Sequence, residues 1–197
     1  MDTWSGFLFA GIALTGSPGP ATLSIAATGA AFGRTRGFPY YLGIQIGMIV
    51  VMIVTASGAA GLVLALPGVR PVVAVVAAAY FAFLAYRIAT APTLDDTAAD
   101  RHPPPLLAGL ILSLLNPKAY ASMAALFSGF VLIPDAPFVD AGAKLFVLVA
   151  VIATVDLAWL FAGAALTRIF RHPISNRIVN LFFAMLLIVS VVLALAV

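Results

Sequence analysis

The chain has 197 residues, 63% hydrophobic and 9% charged, against about 45 to 50% apolar and about 25% charged in a soluble domain. Its apolar residues fall in runs of about 20, the length that crosses about 30 Å of hydrocarbon, so a single soluble core is excluded and the membrane is the solvent. The net charge of +3 comes from ten Lys and Arg scattered at the ends of those runs against seven acidic residues, all Asp; such scatter is no nucleic-acid footprint, and the absence of cysteine excludes disulfides and thiolate metal sites.

Taken in chain order, Met1, Asp2, Thr3 and Trp4 lack the basic leader of a cleaved signal peptide, so the first apolar run is expected to be retained. That run, residues 4 to 28, carries Ser17-Pro18-Gly19-Pro20 near its middle. Two prolines remove backbone donors and clash with carbonyls one turn earlier, so a helix should break or kink there. The connection Gly33 to Gly37 leads to a second span, 38 to 66, in which Gln45, Thr55 and Ser57 could line a cavity or bond a neighbouring helix. Gly29, Gly33 and Gly37, then Gly43 and Gly47, recur every four residues and suit close helix packing. Pro67 to Arg70 precedes a third span, 71 to 90, and a charged, Pro-rich connection from Ala91 to Pro104 lies mid-chain. The fourth span, 105 to 132, is broken at Asn116-Pro117-Lys118, and Ile133 to Ala141 leads to the fifth, 142 to 166. Thr167 to Asn176 precedes the last, 177 to 196. Trp4, Tyr40, Tyr41, Tyr80 and Tyr86 lie mostly near span ends, as interfacial anchors do.

Alternate connections hold Arg34 and Arg36, Arg87 and Arg101, then Arg168, Arg171 and Arg177, while the other side holds Arg70 and Lys144. The arginine-rich side is expected to be cytoplasmic, which puts both termini outside. A weak internal repeat aligns GIALTGSPGPATLS (11 to 24) with GLILSLLNPKAYAS (109 to 122), and Gly43 with Gly142. Three spans per half would insert the second copy upside down. The expected fold is thus an all-α integral membrane protein: six transmembrane helices in two inverted three-helix repeats, about 1–94 and 106–197 around a linker at 95–105, with helices 1 and 4 broken at proline motifs, in a single domain over 1–197.

Lys118 sits in the second break, where its ammonium must reach water, a carboxylate or backbone carbonyls; alternatively its long stem reaches the interface. Asp156 lies mid-run in VIATVDLAWLFAG on a stem too short for that. It suits reversible protonation in a coupling step, or it is a static partner for Lys118. Trp159, one turn on, could pack against a ligand or another helix. His102 and His172 both fall in loops, and no HExxH, GxSxG or GxxxxGKS/T motif occurs, so metalloprotease, metal-pump, serine-nucleophile and ATP-driven mechanisms lack their groups and no cofactor is expected.

TGSPGPATLS, RTRGFPYYLGIQIG, NPKAYASM and VDLAW together resemble the LysE/RhtB family of amino-acid exporters, over nearly the whole chain. The resemblance implies gradient-driven export of amino acids or related metabolites from bacterial cytoplasm, with Pro18, Gly19, Pro20, Asn116, Pro117 and Lys118 as the matching motif residues and Asp156 as the acidic residue of the fifth span. AAAYFAFLAYR and the stretch around Asn180 and Ala184 lack glycines common in the family. The resulting expectation is a proton-coupled secondary exporter in the cytoplasmic membrane, with those residues and Trp159 at the substrate and Asp156 at the coupling ion. Its partners would be a small solute and lipid, no nucleic acid, and, through glycine-rich faces, a homodimer. A channel for another small solute or cation and a non-transporting scaffold subunit are the alternatives.

Overall fold

Glycine and proline interrupt the helices near residues 16–20, 33 and 116–117. The computed structural model describes residues 3–58, 66–90 and 102–165, with individual residues between 174 and 192. Its helices are α1 (Thr3–Gly16), α2 (Pro20–Ala56), α3 (Val69–Ala89), α4 (Leu106–Leu115), α5 (Pro117–Gly129) and α6 (Pro137–Ala165). α2 and α6 are long and apolar enough to cross a membrane, and α4 with α5 forms a third candidate span bent by 62°.

α2 is two helical arms joined directly at a kink. Gly33 adopts φ 75° and ψ 170° inside it, a conformation open to glycine and to few other residues. Ser24 and Tyr40 would lie about 24 Å apart along a straight helix, yet the Tyr40 hydroxyl donates to Ser24 Oγ at 3.0 Å. The two arms, 20–32 and 34–56, therefore fold back on one another. The five-residue connection expected at Gly33 to Gly37 is reduced to one glycine, because Arg34 to Gly37 already continue as helix. The second arm ends ten residues earlier than the expected span end at 66. Gly58 at φ 73° and the bonds from Ser57 N–H to Ile53 O and from Gly58 N–H to Thr55 O terminate it. α6 begins at Pro137 rather than 142, and the linker at 95–101 and most of the sixth span lie outside the described residues.

α2 forms the centre of the packing, with its most extensive contacts to α6 and then α4. Missing side chains make those crossings possible. A Cβ on Gly29 would sit 2.2 Å from Leu160 O, and one on Gly163 2.0 Å from Ala26 O, so the first arm and α6 touch backbone to backbone. The second arm meets α4 in the same way: a Cβ on Gly43 would lie 1.9 Å from Leu106 O, and one on Gly109 2.3 Å from Tyr40 O. Gly43→Ala is expected to lower stability in detergent by about 1–3 kcal/mol, the usual cost of overpacking, seen as a lower melting temperature. Gly142→Ala, whose Cβ meets nothing within 4 Å, should melt at or slightly above the wild type, because alanine is the better helix former.

The buried face of α6 runs Asp140, Lys144, Leu148, Ile152, Asp156 and Leu160, one residue per turn. Phe146 and Phe161 are exposed on its other side, as suits a surface in contact with lipid. The tyrosines expected at the interface are otherwise placed. Tyr40 and Tyr41 are buried, and Tyr41 and Tyr80 donate to Ala153 O and Ala108 O at 3.2 Å; among the five aromatics named above, Trp4 and Tyr86 are exposed. Buried phenols hold helices together here by capping carbonyls on neighbouring ones.

Candidate functional site

A chain interrupted by proline leaves carbonyls without helical donors, and at membrane depth each needs a partner. α1 stops at Gly16, Gly19 is the N-cap of α2, and Pro20 takes its first position, where the missing N–H costs nothing. Gly19 N–H donates to Thr22 Oγ1 at 2.9 Å, closing the new helix start. The freed carbonyls are met from other helices. Trp159 Nε1 donates to Gly16 O at 3.2 Å, while Lys118 Nζ donates to Ser17 O at 2.6 Å and to Pro18 O at 3.2 Å.

The second break is built alike. Asn116 ends α4 and caps α5, with Pro117 in the first position of α5. Its own N–H donates to Ser113 O, and its carbonyl accepts from Ala119 N–H. Lys118 follows at once, so the ammonium of the second break seals the first. Its stem passes so close to Gly19 that a Cβ there would lie 2.8 Å from Lys118 Cδ.

Between the breaks lies a cavity of about 40 Å³ lined by Gly19, Thr22, Asn116, Lys118, Met48 and Asp156, among others. It admits a few waters and is smaller than an amino acid. Asp156 is 3% exposed and accepts from Gln45 Nε2 at 2.8 Å. The starts of α2 and α5 both reach this cavity through Thr22 and Ala119, bringing two partial positive charges beside the Lys118 ammonium. A cation and a carboxyl thus share one small cavity.

Of the residues singled out in the sequence, Gly19, Asn116, Lys118 and Asp156 line the cavity, and Pro18, Pro20 and Pro117 build the breaks beside it. Trp159 holds the end of α1 and is absent from the lining. The static Lys118–Asp156 pair is not what the structure contains, since the lysine binds carbonyls and the aspartate binds Gln45. Of the two roles the sequence leaves open for Gln45, lining a cavity or bonding a neighbouring helix, the structure shows the second, with the fold-back at Gly33 setting it opposite α6.

Lys144 finds its partners close by. Counted in the sequence as a charge beside a loop, it is 3% exposed and paired with Asp140 Oδ2 at 2.6 Å. It also donates to Phe127 O and Phe130 O, while Asp140 Oδ1 accepts from Leu132 N–H and Ile133 N–H. The pair fastens the end of α5 to the start of α6. The i, i+4 spacing of Asp140 and Lys144 was the available signal. Beside it lies a second cavity of about 630 Å³ on the opposite face of α5, lined by Tyr120, Ala124, Ser128 and Thr55. Among the described residues, no cluster of His, Cys, Asp or Glu could hold a metal ion.

Residues 12–196 match the model of the LysE type translocator family. The cysteine/O-acetylserine efflux proteins of Salmonella choleraesuis (strain SC-B67) and Salmonella typhimurium (strain LT2) are each 30% identical over 173 residues, covering 87% of both chains. The Escherichia coli (strain K12) protein of the same description is 28% identical over the same share. No solved structure matches the chain. On this coverage, and with the two proline breaks inside the matched region, the chain belongs to the LysE type translocator family, whose members are transporters and not enzymes.

Proposed function

We propose that this chain is a secondary exporter of amino acids in the bacterial cytoplasmic membrane, moving a zwitterion through the cavity between the two breaks. The observation that carries this reading is the placement of Lys118 and Asp156 on one cavity. The solute carboxylate would draw the Lys118 ammonium from Ser17 O and Pro18 O, helped by the partial charges at the starts of α2 and α5. Its ammonium would face Asp156, which otherwise takes the coupling proton. Six spans in two inverted repeats, with both termini outside, suit this mechanism because the breaks then meet near the midplane. The solutes for which the relatives are named, cysteine and O-acetylserine, are α-amino acids of this kind.

The cavity must widen before it holds a solute, and the bent pair α4–α5 supplies a hinge at Asn116. Purified protein in liposomes should therefore give saturable amino-acid flux that depends on a proton gradient. Flux linear in the gradient without saturation would point to a channel, and absence of flux with any amino acid would point to a scaffold.

A further inference from the structure

Two cavities flank α5, and the second has no part in the site between the breaks. Lys118, Ala119, Ser122 and Met123 turn to the central cavity, while Tyr120, Ala121, Ala124 and Ser128 turn to the second. A single helix of 13 residues is therefore the wall between them. At about 630 Å³ the second cavity falls in the range of about 300–1,000 Å³ that holds small molecules. Its wall is in part polar: Asp140 and Lys144 line it, with Tyr120, Ser128 and Thr55, whose hydroxyl makes no hydrogen bond. Water and polar solutes suit such a wall better than acyl chains do.

The fold also gives this cavity a side. Thr55 and Gly58 stand at the end of the second arm of α2, about 30 Å along the helix from Arg34 and Arg36 at the Gly33 turn, which is the thickness of the hydrocarbon. With the arginine-rich side cytoplasmic, the second cavity lies toward the outer face. α5 is held at two points. One end is the 62° break at Asn116. The other is fastened by Lys144, which donates to Phe127 O and Phe130 O and pairs with Asp140 Oδ2 at 2.6 Å. We propose that the second cavity is the outer exit chamber for the exported zwitterion, and that α5 is the gate between it and the central cavity, hinged at Asn116 and latched by the Asp140–Lys144 pair. This step rests on the exporter reading above. With the latch released, α5 turns about the break into the room beside Ala121 and Ala124, and the central cavity opens to the outer one.

The chain has no cysteine, so a single introduced thiol reports its own surroundings. Ala124→Cys should react with a membrane-impermeant methanethiosulfonate applied to intact cells, and the reaction should reduce its export to background. Ser128→Cys, on the same wall, serves where Ala124→Cys does not insert. Ala125→Cys, exposed on α5 but lining neither cavity, should lose no export under the same treatment. Ser122→Cys, 8% exposed on the central face, should be protected from the outer reagent in solute-free vesicles. It should become reactive when a proton gradient and a mixture of the common amino acids without cysteine are supplied. Adding Asp140→Asn keeps an oxygen for Leu132 N–H and Ile133 N–H but removes the charge that Lys144 pairs with, and should expose Ser122→Cys without solute. No reaction at the second cavity, reaction from the cytoplasmic side alone, full export after reaction, or an equal loss in Ala125→Cys overturns the exit chamber. A Ser122→Cys rate unmoved by solute overturns the gate, and one unmoved by Asp140→Asn overturns the latch. Each of these outcomes leaves the exporter reading standing, whereas absence of flux with that mixture in the wild-type protein overturns the exporter reading itself.

Discussion

Asp156→Asn is expected to reduce export to background while the amount of protein in the membrane stays at the wild-type level. The substitution is close to isosteric, and the new Oδ1 can still accept from Gln45 Nε2, which reaches Asp156 at 2.8 Å. Packing around the residue, buried against α2, has no reason to change. What disappears is the ability to carry a charge or a proton. Lys118 then remains as the one charged residue among those lining the cavity, so the solute ammonium meets a net positive site and no group there can take the coupling proton. The measurement is efflux from loaded cells across a range of external pH, with membrane content followed by immunoblot. Normal rates at every pH would remove Asp156 from the coupling step.

Length, composition and the two proline motifs made the membrane class and the helix breaks readable, because a missing N–H acts on its own helix whatever lies nearby. The same holds for Asp156, whose cost in an apolar run is a local property. Partners are not local. Lys118 bonds residues about a hundred positions earlier, Ser17 and Pro18, and Gln45 reaches Asp156 over a similar separation. Both contacts depend on how sharply Gly33 folds α2 back, which the glycine spacing hinted at without fixing an angle. Lys144 is a related case: the sequence places its charge beside a loop, and the structure adds the partners it finds there, Asp140 and two carbonyls. Tyr40 and Tyr41 lie near a span end in the sequence, but the hairpin turns them inward against Ser24 and Ala153.

Two substitutions at the Lys118 contact should separate its two duties. Lys118→Met removes the ammonium that caps Ser17 O and Pro18 O and the charge that would draw the solute carboxylate. Export is expected to fall to background, and stability to drop by about 1–3 kcal/mol, since uncapped carbonyls at a part-buried break keep their desolvation cost. Gly19→Ala keeps the lysine but places a Cβ 2.8 Å from its Cδ and 2.9 Å from its Nζ. Gly19 itself is extended, with φ −172°, so alanine introduces no backbone strain, and a flexible side chain is what must move. The displaced ammonium leaves the carbonyls yet remains beside the cavity, available to a carboxylate. Gly19→Ala should therefore melt lower than wild type while retaining export at saturating solute. If the lysine served only to seal the first break, the two variants would lose export in proportion to their loss of stability. If it served only the solute, Gly19→Ala would melt like wild type. The expected pattern, a shared loss of stability with export lost in one variant alone, requires the same ammonium to hold the breaks closed when the site is empty and to leave them when a carboxylate arrives.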